Sequence, residues 1–260
     1  MARVISIVNQ KGGVGKTTTA INVGVALGRQ GARVLIVDLD PQANATSGLG
    51  IDYRTIPHGV YEAISGQVRT VDAIRESGRQ GLHVLPSTPN LAGANVELVT
   101  VDRREFRLAD ALAQIVDRYD YLLIDCPPSL GLLTVNALTA ADEVLIPVQC
   151  EYYSLEGLGQ LLETIDLVRN NLKADLNVLG VVLTMYDMDN ELAVSVLNEI
   201  YQHFPHRIFR SVVPRNVKLA EAPSFGRTIF EHSKDSTGAK AYHRLAREIH
   251  HHKKHTHESR

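Results

Sequence analysis

The sequence has few of the residues that build disulfide scaffolds or aromatic binding surfaces. Cys126 and Cys150 are the only cysteines among 260 residues, which excludes a disulfide framework and favours a reducing, cytoplasmic environment. Tryptophan is absent and aromatic residues make up 5% of the chain, so aromatic stacking is not expected to be the main means of binding. The apolar runs are too short to cross a membrane, and the first residues lack the apolar core of a secretory signal. We therefore expect a cytoplasmic protein that does not bind membranes.

Charge is nearly balanced over the whole chain but not along it. The formal net charge is −2, yet residues 203–260 hold 12 Lys and Arg against 5 Asp and Glu. Such a basic quarter predicts a face that could bind a polyanion, and the same pattern is also typical of an ordinary solvated surface. Residues 251–260 form a polar tail, rich in His and Lys, that we expect to be disordered. This tail lacks the bulky apolar face of an amphipathic membrane anchor.

Strand-like and helix-like segments alternate along the chain. Short apolar runs predict strands at 3–8, 33–40, 82–87, 119–128, 143–149, 176–187 and 207–214. Amphipathic stretches predict helices at 18–30, 103–119, 132–141, 154–172, 190–204 and 238–252. Most of the strands are nearly continuous runs of Val, Ile and Leu, as expected when helices cover both faces of a sheet. The alternation predicts an α/β fold with a doubly wound, mostly parallel sheet flanked by helices, in a single domain over residues 1–250.

A glycine-rich loop follows the first predicted strand. It reads NQKGGVGKTT, and Gly15, Lys16 and Thr17 match the end of the phosphate-binding pattern G-x-x-x-x-G-K-[ST]. Glycines let the backbone bend so that successive N–H groups point at phosphate oxygens, and the helix that follows adds its dipole. A lysine in this position reaches the β- and γ-phosphates, and the hydroxyl after it is placed for Mg²⁺. The loop therefore predicts a nucleotide site, although Gln10 replaces the first glycine of the pattern and a second lysine, Lys11, follows it.

Three aspartates stand at the carboxyl ends of predicted strands. Asp38 and Asp40 end the second strand, and Asp125 ends the strand in 119–128. Because ligands of open α/β sheets lie beyond the carboxyl ends of the strands, we expect all three to converge on the glycine-rich loop. One aspartate at a strand end is often only a turn or a cap, whereas three around one loop favour a metal-nucleotide site. Asp125 is the candidate for holding Mg²⁺ through water.

Several motifs together resemble those of the deviant Walker A ATPases. They are KGGVGKTT at 11–18, DLDPQAN at 38–44 and IDCPPSLG at 124–131. With PRNVKLAEAPSFG at 214–226, the chain resembles the ParA/Soj-type chromosome-partitioning ATPases from residue 1 to about residue 250. The resemblance implies a P-loop NTPase of the deviant Walker A type that hydrolyses ATP with Mg²⁺. It also implies that the whole loop contacts the nucleotide, through Lys11, Gly12, Gly13, Val14, Gly15, Lys16, Thr17 and Thr18.

The resemblance gives the second lysine a function. In the family, two subunits face each other with ATP between them, and the residue equivalent to Lys11 reaches the phosphates of the other subunit. A lysine delivered in trans makes formation of the homodimer depend on the γ-phosphate, and a side chain at Gly12 would obstruct the approaching subunit. The remaining implied roles are catalysis by Lys16, orientation of the attacking water by Asp40, a metal site at Thr17, Asp40 and Asp125, and contacts of Pro214 and Asn216 with adenine.

The resemblance also implies partners. Short members of the family bind DNA nonspecifically as ATP dimers, and a ParB/Spo0J-like protein on centromere-like DNA stimulates hydrolysis and releases them. The candidate DNA contacts are Lys218, Arg215 and Arg227, with Arg244 and the tail residues Lys253 and Lys254 as further candidates. One segment departs from the family: residues 187–191 read DMDNE, where family members often carry an arginine. This acidic segment predicts that DNA binding is weakened, relocated or exchanged for another cargo surface.

Other functions stay open from the sequence. A MinD-like membrane-cycling ATPase would need an amphipathic C-terminal helix, and a cargo-positioning relative would have nearly the same core. A metabolic ligase or kinase on this scaffold would need substrate-binding residues that the sequence does not reveal. An electron-transfer iron protein would need cluster-binding cysteines, whereas Cys126 and Cys150 are more typical of small buried residues. A nucleotide-binding scaffold without turnover is disfavoured by the retained Asp40 and Asp125.

Overall fold

A seven-stranded sheet organises the molecule. The computed structural model describes residues 2–151, 154–187 and 190–252, without the side chains of Asn95, Ser154, Leu155 and Leu192. The strands are β1 (Arg3–Ile7), β2 (Val34–Asp38), β3 (Arg75–Arg79), β4 (Leu82–Leu85), β5 (Tyr121–Asp125), β6 (Glu143–Gln149) and β7 (Asn177–Thr184). Their order across the sheet is β3-β4-β2-β5-β1-β6-β7, and every pair is parallel except the hairpin of β3 and β4. The predicted doubly wound, mostly parallel sheet is confirmed.

The sheet order places the loops after three central strands beside one another, at the carboxyl ends of those strands. The chain starts at β1 and moves outward through β2 on one side, then returns to β6 and β7 on the other side. The direction of winding therefore reverses around β1, and a crevice opens there beyond the carboxyl ends of the strands. The loops after β1, β2 and β5 all emerge into this crevice, since these three strands are adjacent and parallel.

Helices cover both faces of the sheet. They are α1 (Lys16–Gly28), α2 (Asn44–Gly48), α3 (Val60–Ile64), α4 (Thr70–Ala73), α5 (Ala94–Glu97), α6 (Arg107–Ala113), α7 (Leu132–Ala140), α8 (Ser154–Asn171), α9 (Glu191–His203), α10 (Val217–Glu221), α11 (Ile229–His232) and α12 (Thr237–His251). Successive residues of a strand point to opposite faces, so Val4 packs in one apolar core and Ile5 in the other. The second core includes α1 and α12, where the buried Tyr242 hydroxyl lies 3.2 Å from the Thr19 hydroxyl. Among the described residues, none of the helices combines the length and apolar character needed to cross a membrane.

In three places the structure departs from the predicted elements. Residues 207–214 do not form a strand; only Ile208 and Pro214 make isolated bridges, to Val181 and Tyr186. The helix predicted at 103–119 is confined to Arg107–Ala113, with short 3₁₀ turns on either side. The edge strand Arg75–Arg79 was not predicted, because its sequence RESGR is polar and carries a glycine in the middle. An edge strand that pairs with only one neighbour does not need the apolar residues by which a central strand is recognised.

Candidate nucleotide-binding site

The loop between β1 and α1 has the backbone that its glycines predict. Gly13 has a φ of 75° and Gly15 a φ of 88°, both in the left-handed region that other residues adopt at a cost. Gly15 caps α1, and its carbonyl oxygen accepts a hydrogen bond from the Thr19 N–H at 2.9 Å. The N–H groups of the first turn of α1 are therefore at the loop, where an anion is favoured by the helix dipole.

Neighbouring strands hold this loop in place. The Asn9 side chain donates a hydrogen bond to the Pro147 carbonyl oxygen at 2.7 Å and accepts one from the Lys11 N–H at 2.9 Å. On the other side, the Thr184 hydroxyl donates to the Val14 carbonyl oxygen at 2.8 Å. These anchoring roles could not be read from local sequence patterns, because Pro147 and Val14 lie more than 130 residues away from Asn9 and Thr184.

Lys16 is a buried cation within the site. Its side-chain ammonium donates a hydrogen bond to the Lys11 carbonyl oxygen at 3.0 Å, and the residue is 7% exposed. Burial lowers the pKa of Lys16, while the nearby Asp125, Cys126 and Asp40 oppose that change. A cation that is held out of water and has one hydrogen-bond acceptor among the described residues is well placed to bind phosphate oxygens.

The predicted convergence of acids is present, but the three carboxylates have different environments. Asp38 and Asp125 lie side by side on β2 and β5, and both are fully buried. Asp38 accepts hydrogen bonds from the Thr46 N–H at 2.8 Å and the Thr46 hydroxyl at 2.6 Å. Burial nevertheless raises the pKa of Asp38 to about 6. The Asp38 carboxylate is therefore hydrogen-bonded to Thr46 of α2 and does not face a ligand site.

Asp125 is the carboxylate that lacks donors. Neither of its buried side-chain oxygens has a hydrogen-bond partner of good geometry among the described residues. Burial raises the pKa of Asp125 well above its usual range, and the charge of Asp38 adds to this; Thr17 lies close enough to lower it in part. A buried carboxylate without donors is costly, and the hydration water of a magnesium ion would supply them. Asp125 and the Thr17 hydroxyl thus fit the role of metal-binding groups.

Asp40 faces an open cleft of about 400 Å³. One of its oxygens accepts a hydrogen bond from the Gln42 N–H at 2.9 Å, and the residue lines the cleft. The cleft is lined by Gly12, Gly13, Gly15, Lys16, Thr17, Thr18, Ile21, Asn22, Asp40, Gln42, Asn44, Ser47, Pro128, Met185, Leu219, Ala222, Pro223, Arg227 and Ile229. Within the parts of the chain that are described, no three His, Cys, Asp or Glu side chains are close enough to form an all-protein metal site. Mg²⁺ typically keeps phosphate and water ligands, so a nucleotide-dependent site does not need such a cluster.

The far end of the cleft is apolar and differs in part from the sequence prediction. Met185 and Leu219 line it, whereas Pro214 and Asn216 do not. Pro214 instead bridges to Tyr186, and Asn216 caps α10 by accepting a hydrogen bond from the Lys218 N–H. Met185 has a φ of 50°, which is uncommon for a residue with a side chain and is often found at functional sites. The assignment of Pro214 and Asn216 to the adenine stays a prediction.

Lys11, the second lysine of the loop, forms an ion pair with Glu151 of the same chain. The other carboxylate oxygen of Glu151 accepts a hydrogen bond from the Gln149 side chain at 2.5 Å. Glu151 was not recognised from the sequence, because an acidic residue just after a strand is usually only a turn residue.

The predicted DNA contacts are scattered. Lys218 forms an exposed ion pair with Glu221 at 2.9 Å, and Arg215 and Arg244 are exposed. Arg227 lines the nucleotide cleft instead of a separate surface. Lys253 and Lys254 lie outside the described residues, as do Met188 and Asp189 of the acidic segment.

Comparisons with known proteins agree with this geometry. The family model described as an AAA domain matches residues 2–178. The chain is 51% identical to the sporulation initiation inhibitor protein Soj of Bacillus subtilis, over 96% of this chain and 98% of the relative. It is also 51% identical to the chromosome partitioning protein ParA of Myxococcus xanthus, over 96% of this chain and 88% of the relative. Among solved structures, cobyrinic acid a,c-diamide synthase of Mycobacterium smegmatis with bound ADP and magnesium gives a TM-score of 0.87 at 38% identity, covering 97% of this chain and 95% of that one.

Proposed function

The chain belongs to the Soj/ParA family of chromosome partitioning proteins, and from this we propose that it is a Mg²⁺-dependent ATPase whose ATP-bound form is a DNA-binding homodimer. Hydrolysis, stimulated by a ParB-like partner on centromere-like DNA, would release the dimer and so drive chromosome or plasmid partitioning. The observation that carries the proposal is the arrangement of one buried cation, Lys16, and one donor-free carboxylate, Asp125, around a glycine-rich loop. A nucleotide triphosphate with its magnesium ion would satisfy both groups.

Each residue of the cleft has a separate task in this proposal. The Lys16 ammonium and the N–H groups at the start of α1 would bind the phosphates, and the Thr17 hydroxyl and Asp125 would hold Mg²⁺, Asp125 through water. A bound Mg²⁺ would neutralise negative charge on the phosphates. Asp40 accepts a hydrogen bond from the attacking water, whose oxygen bonds to the γ-phosphorus as the bond to the bridging oxygen of ADP breaks. Phosphoryl transfer depends more on such positioning than on a strong base.

The open space around Gly12 is an argument for the proposed dimer. Unlike Gly13 and Gly15, it does not have a left-handed φ, and a Cβ built on it would meet no atom within 4 Å. The fold of a single chain therefore gives no reason for a glycine here. A closely approaching second subunit, or the nucleotide it shares, would give one. Lys11 lies one residue before it and would reach the phosphates of that second subunit.

Two substitutions test the proposal by opposite outcomes. Asp40→Ala should bind ATP and accumulate as a dimer, because the water is no longer oriented and hydrolysis falls by at least about tenfold. Lys16→Ala should remain monomeric with ATP and Mg²⁺, because the phosphate site is lost. Light scattering with ATP and with ADP, alongside phosphate release, measures both. Normal hydrolysis by Asp40→Ala, or ATP-dependent dimers of Lys16→Ala, would contradict the assignments.

The likeness to a diamide synthase favours one competing function, an ATP-dependent ligase acting on a small carboxylic acid. Such an enzyme would consume ATP only when its acid and an amide-nitrogen donor are present. The partitioning ATPase should instead hydrolyse ATP slowly alone and faster with DNA and a ParB-like protein. Phosphate release measured with each addition separates the two, and stimulation by a carboxylic acid and ammonia in place of DNA would favour the ligase.

A further inference from the structure

A second concave surface lies away from the nucleotide cleft, beside the outer strand of the sheet. It encloses about 640 Å³ and is lined by Arg207, Ile208, Arg210, Arg244, Arg247, Glu248, His251 and His252, which we call the arginine groove. It shares no lining residue with the nucleotide cleft among the described residues. Ile208 bridges to Val181 near the middle of β7, so the groove is not at the carboxyl end of the sheet where the nucleotide site lies.

The positive charges of the arginine groove outnumber its negative charges. Glu248 is its only carboxylate in the described part of the chain, and its oxygens already accept hydrogen bonds from the Ser211 hydroxyl at 2.5 Å and the Arg210 N–H at 3.0 Å. Arg207 approaches Glu248 only to 3.8 Å and lies 2.7 Å from a His252 ring nitrogen. Among the described residues, the guanidinium groups of Arg210, Arg244 and Arg247 take part in no ion pair. Like charges gathered in this way repel each other unless an anion binds between them.

Helix α12 presents its cations in a row. Lys240, Arg244, Arg247 and His251 are all exposed and follow the spacing of one helical face, while Tyr242 and Leu245 are buried on the opposite face. The row extends over roughly 16 Å, from the rise of 1.5 Å per residue. One strand of duplex DNA presents about five phosphates over that length. The row is therefore longer than a single phosphate ion requires.

We propose that the arginine groove and the row on α12 form a contact surface for the phosphate backbone of duplex DNA. Guanidinium groups bind phosphate oxygens through two parallel N–H donors, and such contacts give affinity that is independent of sequence and sensitive to salt. Ile208, half-buried, is the only apolar side chain lining the groove in the described residues. A membrane-binding surface would need bulky apolar groups to insert beside its cations, so the composition favours DNA over a lipid surface.

This inference rests on the proposed DNA binding and gives it a location that differs from the sequence prediction. Lys218 is partly neutralised by Glu221 and also has His232 nearby, since the His232 ring nitrogen lies 3.1 Å from the same Glu221 oxygen. The four arginines of the groove are the denser concentration of charge. The groove thus accounts for DNA binding by a chain whose segment 187–191 is acidic.

The test uses the full chain with ATP and Mg²⁺ and a labelled duplex of about 60 base pairs, titrated at several salt concentrations. Arg244→Ala with Arg247→Ala should weaken binding on the order of tenfold and lower the slope of log affinity against log salt by about two, one for each lost phosphate contact. Arg244→Glu with Arg247→Glu should weaken it further. The matched control is Arg54→Ala with Arg69→Ala, which removes the same charge from side chains that are 75% and 76% exposed. Arg69 directly precedes α4 and β3, at the opposite edge of the sheet.

Three further measurements make the outcome decisive. ATP-dependent dimerisation, basal phosphate release and the thermal unfolding midpoint should be unchanged in the Arg244/Arg247 variants, so that weaker DNA binding cannot come from a lost dimer or fold. If the double variant binds DNA like the control while the wild type binds well, the groove is not the DNA surface and the proposed function survives. If the wild type does not bind DNA with ATP, the proposed DNA-binding function itself fails. Arginine-dependent binding to vesicles of phosphatidylglycerol without an effect on DNA would also overturn the inference.

Discussion

Lys11 and Glu151 form an ion pair within one chain, although Lys11 is the residue expected to reach the nucleotide of a second subunit. The two side chains are 38% and 46% exposed, so the pair is worth about 0–1 kcal/mol. A contact of that strength can hold the lysine in the monomer and still give way to a triphosphate, which offers several charged oxygens. In the proposed dimer, Lys11 would therefore have to exchange Glu151 for the phosphates of the second subunit.

Removing the intrachain partner should favour the dimer. Glu151→Gln keeps the shape of the side chain but not its charge, and the ATP concentration at half-maximal dimerisation should fall by up to about fivefold. Light scattering or analytical ultracentrifugation across an ATP titration measures this change. Lys11→Ala is the matched variant and should form no ATP-dependent dimer. A Glu151→Gln protein that dimerises less readily would mean that Glu151 supports the dimer instead.

A side chain at Gly12 should separate nucleotide binding from dimerisation. Because a Cβ at this position meets no atom within 4 Å, Gly12→Val should fold and bind ATP with an affinity within about threefold of wild type, yet stay monomeric. Titration with a fluorescent ATP analogue gives the affinity, and light scattering gives the mass. Gly159→Val, at another position with open space around it, is the control and should dimerise normally. ATP-dependent dimers of Gly12→Val would remove the steric role of this glycine.

The burial of Asp38 should make the stability of the nucleotide-free protein depend on pH. The pKa of this carboxyl is raised from 3.8 to about 6 in the folded chain, so its contribution to stability is complete below the unfolded pKa and is lost as the pH rises through 6. The asparagine side chain of Asp38→Asn does not ionise in this pH range. The free energy of unfolding of this variant relative to wild type should therefore rise by on the order of 2–3 kcal/mol between pH 4 and pH 7.

Urea unfolding of wild type and Asp38→Asn in EDTA, at several pH values between 4 and 7.5, measures that difference. Asp125 lies beside Asp38, and its raised pKa depends partly on the Asp38 charge, so the substitution changes both groups in the same direction. A difference between the two proteins that stays constant with pH would show that Asp38 does not titrate in this range.

The packing of α1 against the β3–β4 turn depends on Gly28. A Cβ at Gly28 would lie 2.5 Å from the Gln80 carbonyl oxygen, which is backbone and cannot rotate away. Gly28→Ala should therefore cost about 1–3 kcal/mol net, because the strain of the close contact exceeds the gain in helix propensity of up to about 1 kcal/mol. The thermal midpoint should fall by roughly 2–6 °C. Gly159→Ala in α8, which meets nothing, should be neutral or slightly stabilising, and equal midpoints for the two variants would contradict this account of the contact.

Prediction from the sequence was most successful where local pattern and physical need coincide. The central strands were recognised because they are buried on both faces and must be continuously apolar, as VLIVD in β2 and YLLID in β5 are. The segment 207–214 has the same apolar character, but it makes only isolated bridges at Ile208 and Pro214 and a few backbone hydrogen bonds to β7, not a continuous strand. Any buried segment needs apolar residues. Whether it also pairs with a strand depends on the strand beside it, which the composition of the segment does not reveal.

The roles of the site residues divide in a similar way. The loop residues Gly13, Gly15 and Lys16 could be proposed as phosphate ligands from the sequence, because their spacing alone matches a phosphate-binding loop. Asn9, Thr184 and Glu151 could not be recognised, since each contacts a residue far away in the sequence. Asp38 and Asp125 appeared equivalent in the sequence, and their different hydrogen bonding became apparent only in the structure, because Thr46 from α2 reaches one of them and not the other.

Local patterns in the chain were enough to predict the parallel sheet, the glycine-rich loop and the family, because apolar runs, turns and motifs involve neighbouring residues. Which groups lack partners could be seen only in the folded molecule. Among the described residues, Asp125 has no hydrogen-bond donor of good geometry, Gly12 has open space around it, and Arg210, Arg244 and Arg247 beside β7 have no ion-pair partner. The neighbours of these residues come from distant segments, and the folding of the chain in three dimensions alone brings them together.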